Sequence, residues 1–148
     1  MKIIFLDIDG VLNYIEAWDR PENEGKGSKV WDPDCVNELN RIIKETDAKI
    51  VLSSTWRLYP DHENLVYNEM GIKGEFIGKT PDLPSSYYRG HEIQRWLDNN
   101  ENMNVEKFVI LDDDSDMDHL IDFLIQTSFA EKGLTKKLAN KAIKMLNS

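Results

Sequence analysis

The feature that most constrains this chain is an apolar run at its start that ends in carboxylates. Residues 2–8 are rich in Ile and Phe and have the length of a buried strand. Asp7 and Asp9 break that run, and Gly10 follows at once. A carboxylate set in apolar surroundings is costly unless it is paired or put to use. The run therefore reads as a strand whose end carries polar groups.

Similar short runs recur at 48–52, 75–77, 107–111 and 122–127. Helical patterns lie between them. Asp32-Pro33 reads as an N-cap and first turn, with Val36, Leu39 and Ile43 on one face. A helix is expected over 61–70, stopped by Gly71, and another over 89–97 with Ile93, Trp96 and Leu97 on one face. Thr135 caps a last helix carrying Leu138, Ala142, Met145 and Leu146. Strands alternating with helices imply an α/β fold of three layers: a central parallel sheet with helices on both faces, Rossmann-like. In such sheets the ligand lies beyond the carboxyl ends of the strands, so the polar residues ending each strand gather at one rim.

The bulk properties bound the function. A chain of 148 residues suits a single domain, 1–148, with one core. A net charge of −9 argues against broad, non-specific nucleic-acid binding, which runs on Lys and Arg. No apolar run approaches bilayer length, and the N-terminus lacks the pattern of a signal peptide, so a cytoplasmic protein with no membrane partner is expected. The lone Cys35 excludes an intrachain disulfide. Residues 10–31 are polar, with Pro21, Gly25 and Gly27, and read as a flap-like insertion, a small hairpin.

The strand ends carry the chemistry. Asp7 and Asp9 offer the hard oxygen ligands that Mg²⁺ prefers, and a carboxylate can also attack phosphorus. Gly10 lets the backbone turn sharply beside them. The second strand ends in Ser53-Ser54-Thr55-Trp56-Arg57 and the fourth in Asp112-Asp113-Asp114-Ser115-Asp116. Two serines could equally be helix caps. The spacing of Asp112, Asp114 and Asp116 opens like an EF-hand loop. It fails at Met117, where that loop needs Gly, and at Phe123, where it needs Glu. His62, His91 and His119 have no zinc-like spacing with Cys35.

The run Asp7-Ile8-Asp9-Gly10-Val11-Leu12 after an apolar strand resembles the first motif of the haloacid dehalogenase (HAD) superfamily. That resemblance implies a phosphatase dependent on Mg²⁺, with Asp7 as nucleophile and metal ligand. Asp9 is then general acid and base, its backbone carbonyl also facing the metal. Ser53, with Ser54 as the alternative, corresponds to the second motif, and Arg89 to the third, with Lys79 and Arg57 as rivals. Most members carry Lys at that third position, so Arg89 is a departure. Asp112 and Asp113 complete the metal site, with Asp116 left open.

The pieces Ser53-Ser54-Thr55-Trp56-Arg57, Arg89-Gly90-His91-Glu92-Ile93 and Leu111-Asp112-Asp113 together resemble the small phosphatase-like domain of Swiss Army knife RNA-repair proteins. With minimal or no cap domain, the site should be open and suit a phosphorylated nucleic-acid end or a nucleotide. Gly10, Ser54 and Arg57 are the expected substrate contacts. Tyr14, Trp18 and Trp31 could stack on a base. The contrasting expectation is a catalytically silent module that keeps the fold and binds phosphate or nucleic acid without turnover.

Overall fold

The computed structural model describes residues 1–148. Five strands, β1 (Lys2–Leu6), β2 (Lys49–Leu52), β3 (Phe76–Lys79), β4 (Lys107–Asp112) and β5 (Leu124–Gln126), form one sheet in the order β3-β2-β1-β4-β5. Every pairing is parallel. The helices are α1 (Ile15–Trp18), α2 (Pro33–Thr46), α3 (Pro60–Asn64), α4 (Arg89–Asn99) and α5 (Lys136–Leu146).

Ile3, Ile4, Phe5 and Leu6 are all fully buried, because β1 lies at the centre of the sheet with both faces covered. Their alternation divides the core. Ile4 and Leu6 join Ile50, Leu52, Val109 and Leu111 against α2 and α5. Ile3 and Phe5 join Val51 and Ile110 against Ile93 and Trp96 of α4. This is the three-layer arrangement implied by the strand–helix alternation.

Helix α2 starts where Asp32 accepts a hydrogen bond from the Asp34 N–H at 3.0 Å, and Pro33 occupies the first turn. It ends at Asp47 in the left-handed region, φ 57°. The Thr135 hydroxyl caps α5 through the Leu138 N–H. No helix is long and apolar enough to cross a membrane.

Three local expectations change. Residues 10–31 contain no strand; they form α1 and a 3₁₀ turn at Pro21–Asn23. The hairpin fails because side chains replace its ladder: Asn13 Nδ2 donates to the Val30 carbonyl and Asn23 Nδ2 to the Ala17 carbonyl. Val11, Leu12, Tyr14 and Ala17 then anchor the segment in the main core. The helix expected over 61–70 is α3 followed by a π turn, Leu65–Glu69, and Gly71 at φ 81° ends it. The third strand starts later than expected, and its pairing with β2 shifts register between Ile50 and Val51.

The strand order sets the site. The chain steps from β1 outward to β2 and β3, then crosses to β4 on the other side of β1. The junction of β1 and β4 is the switch point at which a parallel sheet opens a crevice at its carboxyl edge.

Candidate active site

The sheet ladder runs one residue past most strand ends and fixes the rim. The Asp7 N–H donates to the Leu111 carbonyl at 3.0 Å and the Ser53 N–H to the Leu6 carbonyl at 2.9 Å. Thr80 and Thr127 are held likewise by Leu52 and Asp112. Asp7, Ser53, Thr80 and Asp112 therefore stand at one level, with Thr127 one residue further along, all positioned by backbone bonds.

Asp7, Asp112 and Asp113 each place a carboxylate oxygen within 4.8 Å of the others. Asp7 and Asp112 are buried. Arg89, at the first position of α4, reaches between them: Nη1 lies 3.1 Å from Asp7 Oδ1 and 3.2 Å from Asp112 Oδ2. Those contacts are ion pairs without hydrogen-bond geometry, so Arg89 Nη1 and Asp112 Oδ2 remain without hydrogen-bond partners. Burial pushes the Asp7 carboxyl up; Arg89 and the Ile8 N–H pull it back without cancelling the rise. Burial, then the charge of Asp7, likewise raises Asp112, against the pull of Arg89. One guanidinium thus pairs with two of the three clustered carboxylates, and the cluster lacks positive charge. Hard oxygen donors, close spacing and an unpartnered buried oxygen fit a magnesium ion.

Asp9 is held apart from that cluster. Its Oδ1 accepts from Asn13 Nδ2 at 2.9 Å and its Oδ2 from the Trp56 indole N–H at 3.1 Å. The Asn13 Oδ1 accepts the Gly10 N–H at 2.9 Å, so one buried side-chain amide fixes both the Asp9 carboxylate and the turn after it. The Asp9 side chain lies outside the three converging carboxylates.

Gly10 has φ 82°, and a Cβ there would lie 2.3 Å from Asp113 Oδ2. Glycine is required for the turn and also for the approach of Asp113. The Gly10 carbonyl accepts from the Thr127 hydroxyl at 2.6 Å, which ties the turn to the end of β5.

Ser53 is fully buried and its hydroxyl has no hydrogen-bond partner. Ser54, also buried, accepts the Trp56 N–H and caps the 3₁₀ turn Thr55–Leu58. Arg57 does not fit its expected substrate contact. Its Nε donates to the Thr80 carbonyl, Nη1 to the Ser53 and Ser54 carbonyls, and Nη2 to the Pro81 carbonyl and Glu92. All five guanidinium donors are committed, leaving none for a phosphoryl oxygen. Lys79 pairs with Glu63 at 2.9 Å on the surface, so Arg89 is the cation at Asp7. Asp116 lies outside the carboxylate cluster; its Oδ2 accepts the Arg89 N–H at 3.4 Å and its carbonyl the Gly90 N–H at 3.1 Å. A Cβ on Gly90 would sit 2.1 Å from the Met117 carbonyl oxygen, so this glycine lets the start of α4 approach the loop.

Among the aromatics proposed to stack, Tyr14 is buried and its hydroxyl donates to Asp32. Trp18 packs edge-on against Phe129, and Trp31 lies against the main core. Asn13, Trp56 and Thr127 are the supporting residues that sequence reasoning did not single out as site groups.

A family model described as the HAD domain in Swiss Army Knife RNA repair proteins matches residues 3–139. No curated protein and no solved structure matches the chain. The matched span includes every residue of the rim just described, and the chain belongs to the family of HAD domains in Swiss Army Knife RNA repair proteins.

Proposed function

We propose that the chain is a magnesium-dependent phosphohydrolase that works through an aspartyl-phosphate on Asp7, on a phosphorylated nucleic-acid end or nucleotide. The observation that carries this reading is Arg89 bridging the buried Asp7 and Asp112 at 3.1 and 3.2 Å. A carboxylate kept desolvated beside one shared cation is costly to hold, and it marks a place where charge is to be handled.

The side chains of Asp7, Asp112 and Asp113, with the Asp9 backbone carbonyl, would hold the magnesium ion. When bound, the ion offsets charge on the phosphoryl oxygens. Asp7 attacks phosphorus in line, and the bond from phosphorus to the leaving oxygen breaks. That oxygen takes a proton from Asp9. Asp9, now a carboxylate, takes a proton from water as the water oxygen attacks the aspartyl-phosphate. Inorganic phosphate leaves and Asp7 is regenerated. Ser53, with a free buried hydroxyl, and Arg89 are the groups available to the equatorial oxygens, where charge stabilisation does most of the work. Asn13 and Trp56 keep Asp9 on the leaving-group side.

The substrate class is supported by two features. Residues 10–31 lie against the core and form no separate cap. The matching family is described by its occurrence in RNA repair proteins. The net charge of −9 adds that contacts should be few and local to the phosphorylated end.

The test is hydrolysis of an aryl phosphate and of a terminally phosphorylated oligonucleotide, with magnesium and with chelator. Turnover of both, lost on chelation, is expected. A folded protein inert toward every phosphate ester would leave the silent-module reading in its place.

A further inference from the structure

We infer that the cavity opening off Asp9 is a nucleobase subsite, in which the base of the terminal nucleotide stacks on Tyr59 beside His62. This rests on the phosphohydrolase reading, and it names residues which that reading does not use. The general acid must touch the leaving oxygen, so the leaving group lies on the Asp9 side of the phosphoryl group. The Asp9 carboxylate forms part of the wall of a cavity of about 300 Å³, lined also by Ser28, Thr55, Trp56, Tyr59 and His62. That is at the lower end of ligand-pocket sizes, roughly 300–1,000 Å³, and admits one nucleoside but not a duplex.

The walls favour a flat aromatic guest. Trp56 donates to Asp9 at one end, and its ring meets His62 edge-on at 4.8 Å between centroids. His62 lies 5.7 Å from Tyr59, and its Nε2 is fixed by the Ser28 hydroxyl at 2.9 Å. The Tyr59 side chain is 57% exposed, so its ring is open to a guest entering the cavity. Trp56, His62 and Tyr59 thus make a continuous path of rings leading away from Asp9, with Ser28 and Thr55 completing the lining.

Elsewhere the exposed aromatics and cavities are already occupied by their own contacts or lie away from Asp9. Tyr88 is also exposed, but His91 already stacks on it at 5.3 Å. The larger cavity, about 560 Å³, adjoins Asp113 on the metal side, and its Lys132 is paired with Glu16. Aromatic stacking also suits an acidic protein, since it grips a nucleotide without a basic track.

The experiment compares a terminally phosphorylated dinucleotide, the same molecule with an abasic terminal residue, and ribose 5-phosphate. Each is assayed with wild type, Tyr59→Ala and Tyr59→Phe. Wild type should prefer the base-bearing substrate over the abasic one by about tenfold in kcat/KM, the scale of one stacked base. Tyr59→Ala should collapse that ratio toward one through KM, and Tyr59→Phe should restore it. Equal efficiency on base-bearing and abasic substrates in wild type would overturn the subsite while leaving the phosphohydrolase reading intact. So would a Tyr59→Ala defect that is the same for both. If no ester is hydrolysed at all, the phosphohydrolase reading fails, and the subsite is judged by tryptophan fluorescence instead. Quenching by a nucleoside monophosphate but not by ribose phosphate, lost in Tyr59→Ala, supports it; equal responses overturn it.

Discussion

The indole N–H of Trp56 donates to Asp9 Oδ2 at 3.1 Å, joining the end of the second strand to the acid after the first. With Asn13 on the other oxygen, it fixes the direction of the carboxylate proposed as the general acid. Trp56→Phe keeps the packing of a residue only 2% exposed and deletes the donor. Its kcat should fall by roughly 10- to 100-fold, the cost of a misplaced catalytic group, with little change in KM. Steady-state kinetics with thermal melts check this; an unchanged kcat would leave Trp56 with a packing role alone.

Gly10→Ala tests the carboxylate cluster. The new Cβ would stand 2.3 Å from Asp113 Oδ2, and φ 82° is strained for alanine. Asp113 must move, and the magnesium concentration needed for half-maximal activity should rise by on the order of tenfold or more. Asp113→Asn should move it in the same direction, and chelator should abolish activity in the wild type. A magnesium titration of both variants decides the point.

Much of this site was legible in the sequence, and the reason is physical. Asp7 and Asp9 are conspicuous because carboxylates are rare inside an apolar strand, and Asp112 because it ends another such run. Asn13 carries no comparable signal: its work is to bond a backbone N–H and a neighbouring side chain, and an Asn in a polar loop looks like any other. Arg57 misled because nothing local marks a buried arginine. Its acceptors are carbonyls at 53, 54, 80 and 81 and a carboxylate at 92, brought together only by the fold. The hairpin expected within 10–31 failed for a related reason, since Asn13 and Asn23 side chains supply the bonds that a ladder would have made.

Arg57 should therefore matter for stability. It is 5% exposed and pairs with Glu92 at 3.1 Å. Arg57→Ala leaves Glu92 and four carbonyls without that donor and should destabilise the fold by about 3 kcal/mol. Arg57→Lys should recover only part, because an ammonium cannot reproduce the planar fork. Urea denaturation measures both, and a near-neutral Arg57→Ala would contradict the structural role.

The Tyr14–Asp32 pair sets a pH dependence away from the catalytic groups. Burial first, then the hydrogen bond to Asp32, pushes the Tyr14 hydroxyl up to about 12. A raised value means that the folded state holds the proton more tightly than the unfolded chain does. Its contribution is complete below the unfolded value of about 10 and is lost as pH climbs toward 12. Burial also pushes Asp32 up, but the Tyr14 hydroxyl, the Asp34 N–H and Arg20 outweigh it and hold it below the ordinary range. That contribution is present above about pH 4 and is lost as pH falls through the lowered value. Tyr14→Phe should flatten the alkaline limb of a Tm-against-pH curve, and Asp32→Asn the acid limb. Unchanged limbs would remove the pair from the pH response.

The most direct measurement is acid quenching of the protein during turnover of an aryl phosphate with magnesium, followed by peptide mass analysis. A single phosphoryl group is expected on the peptide containing Asp7, labile to base, with no such adduct in folded, inactive Asp7→Asn. Substantial turnover by Asp7→Asn, or a phosphoryl group trapped elsewhere, would contradict it.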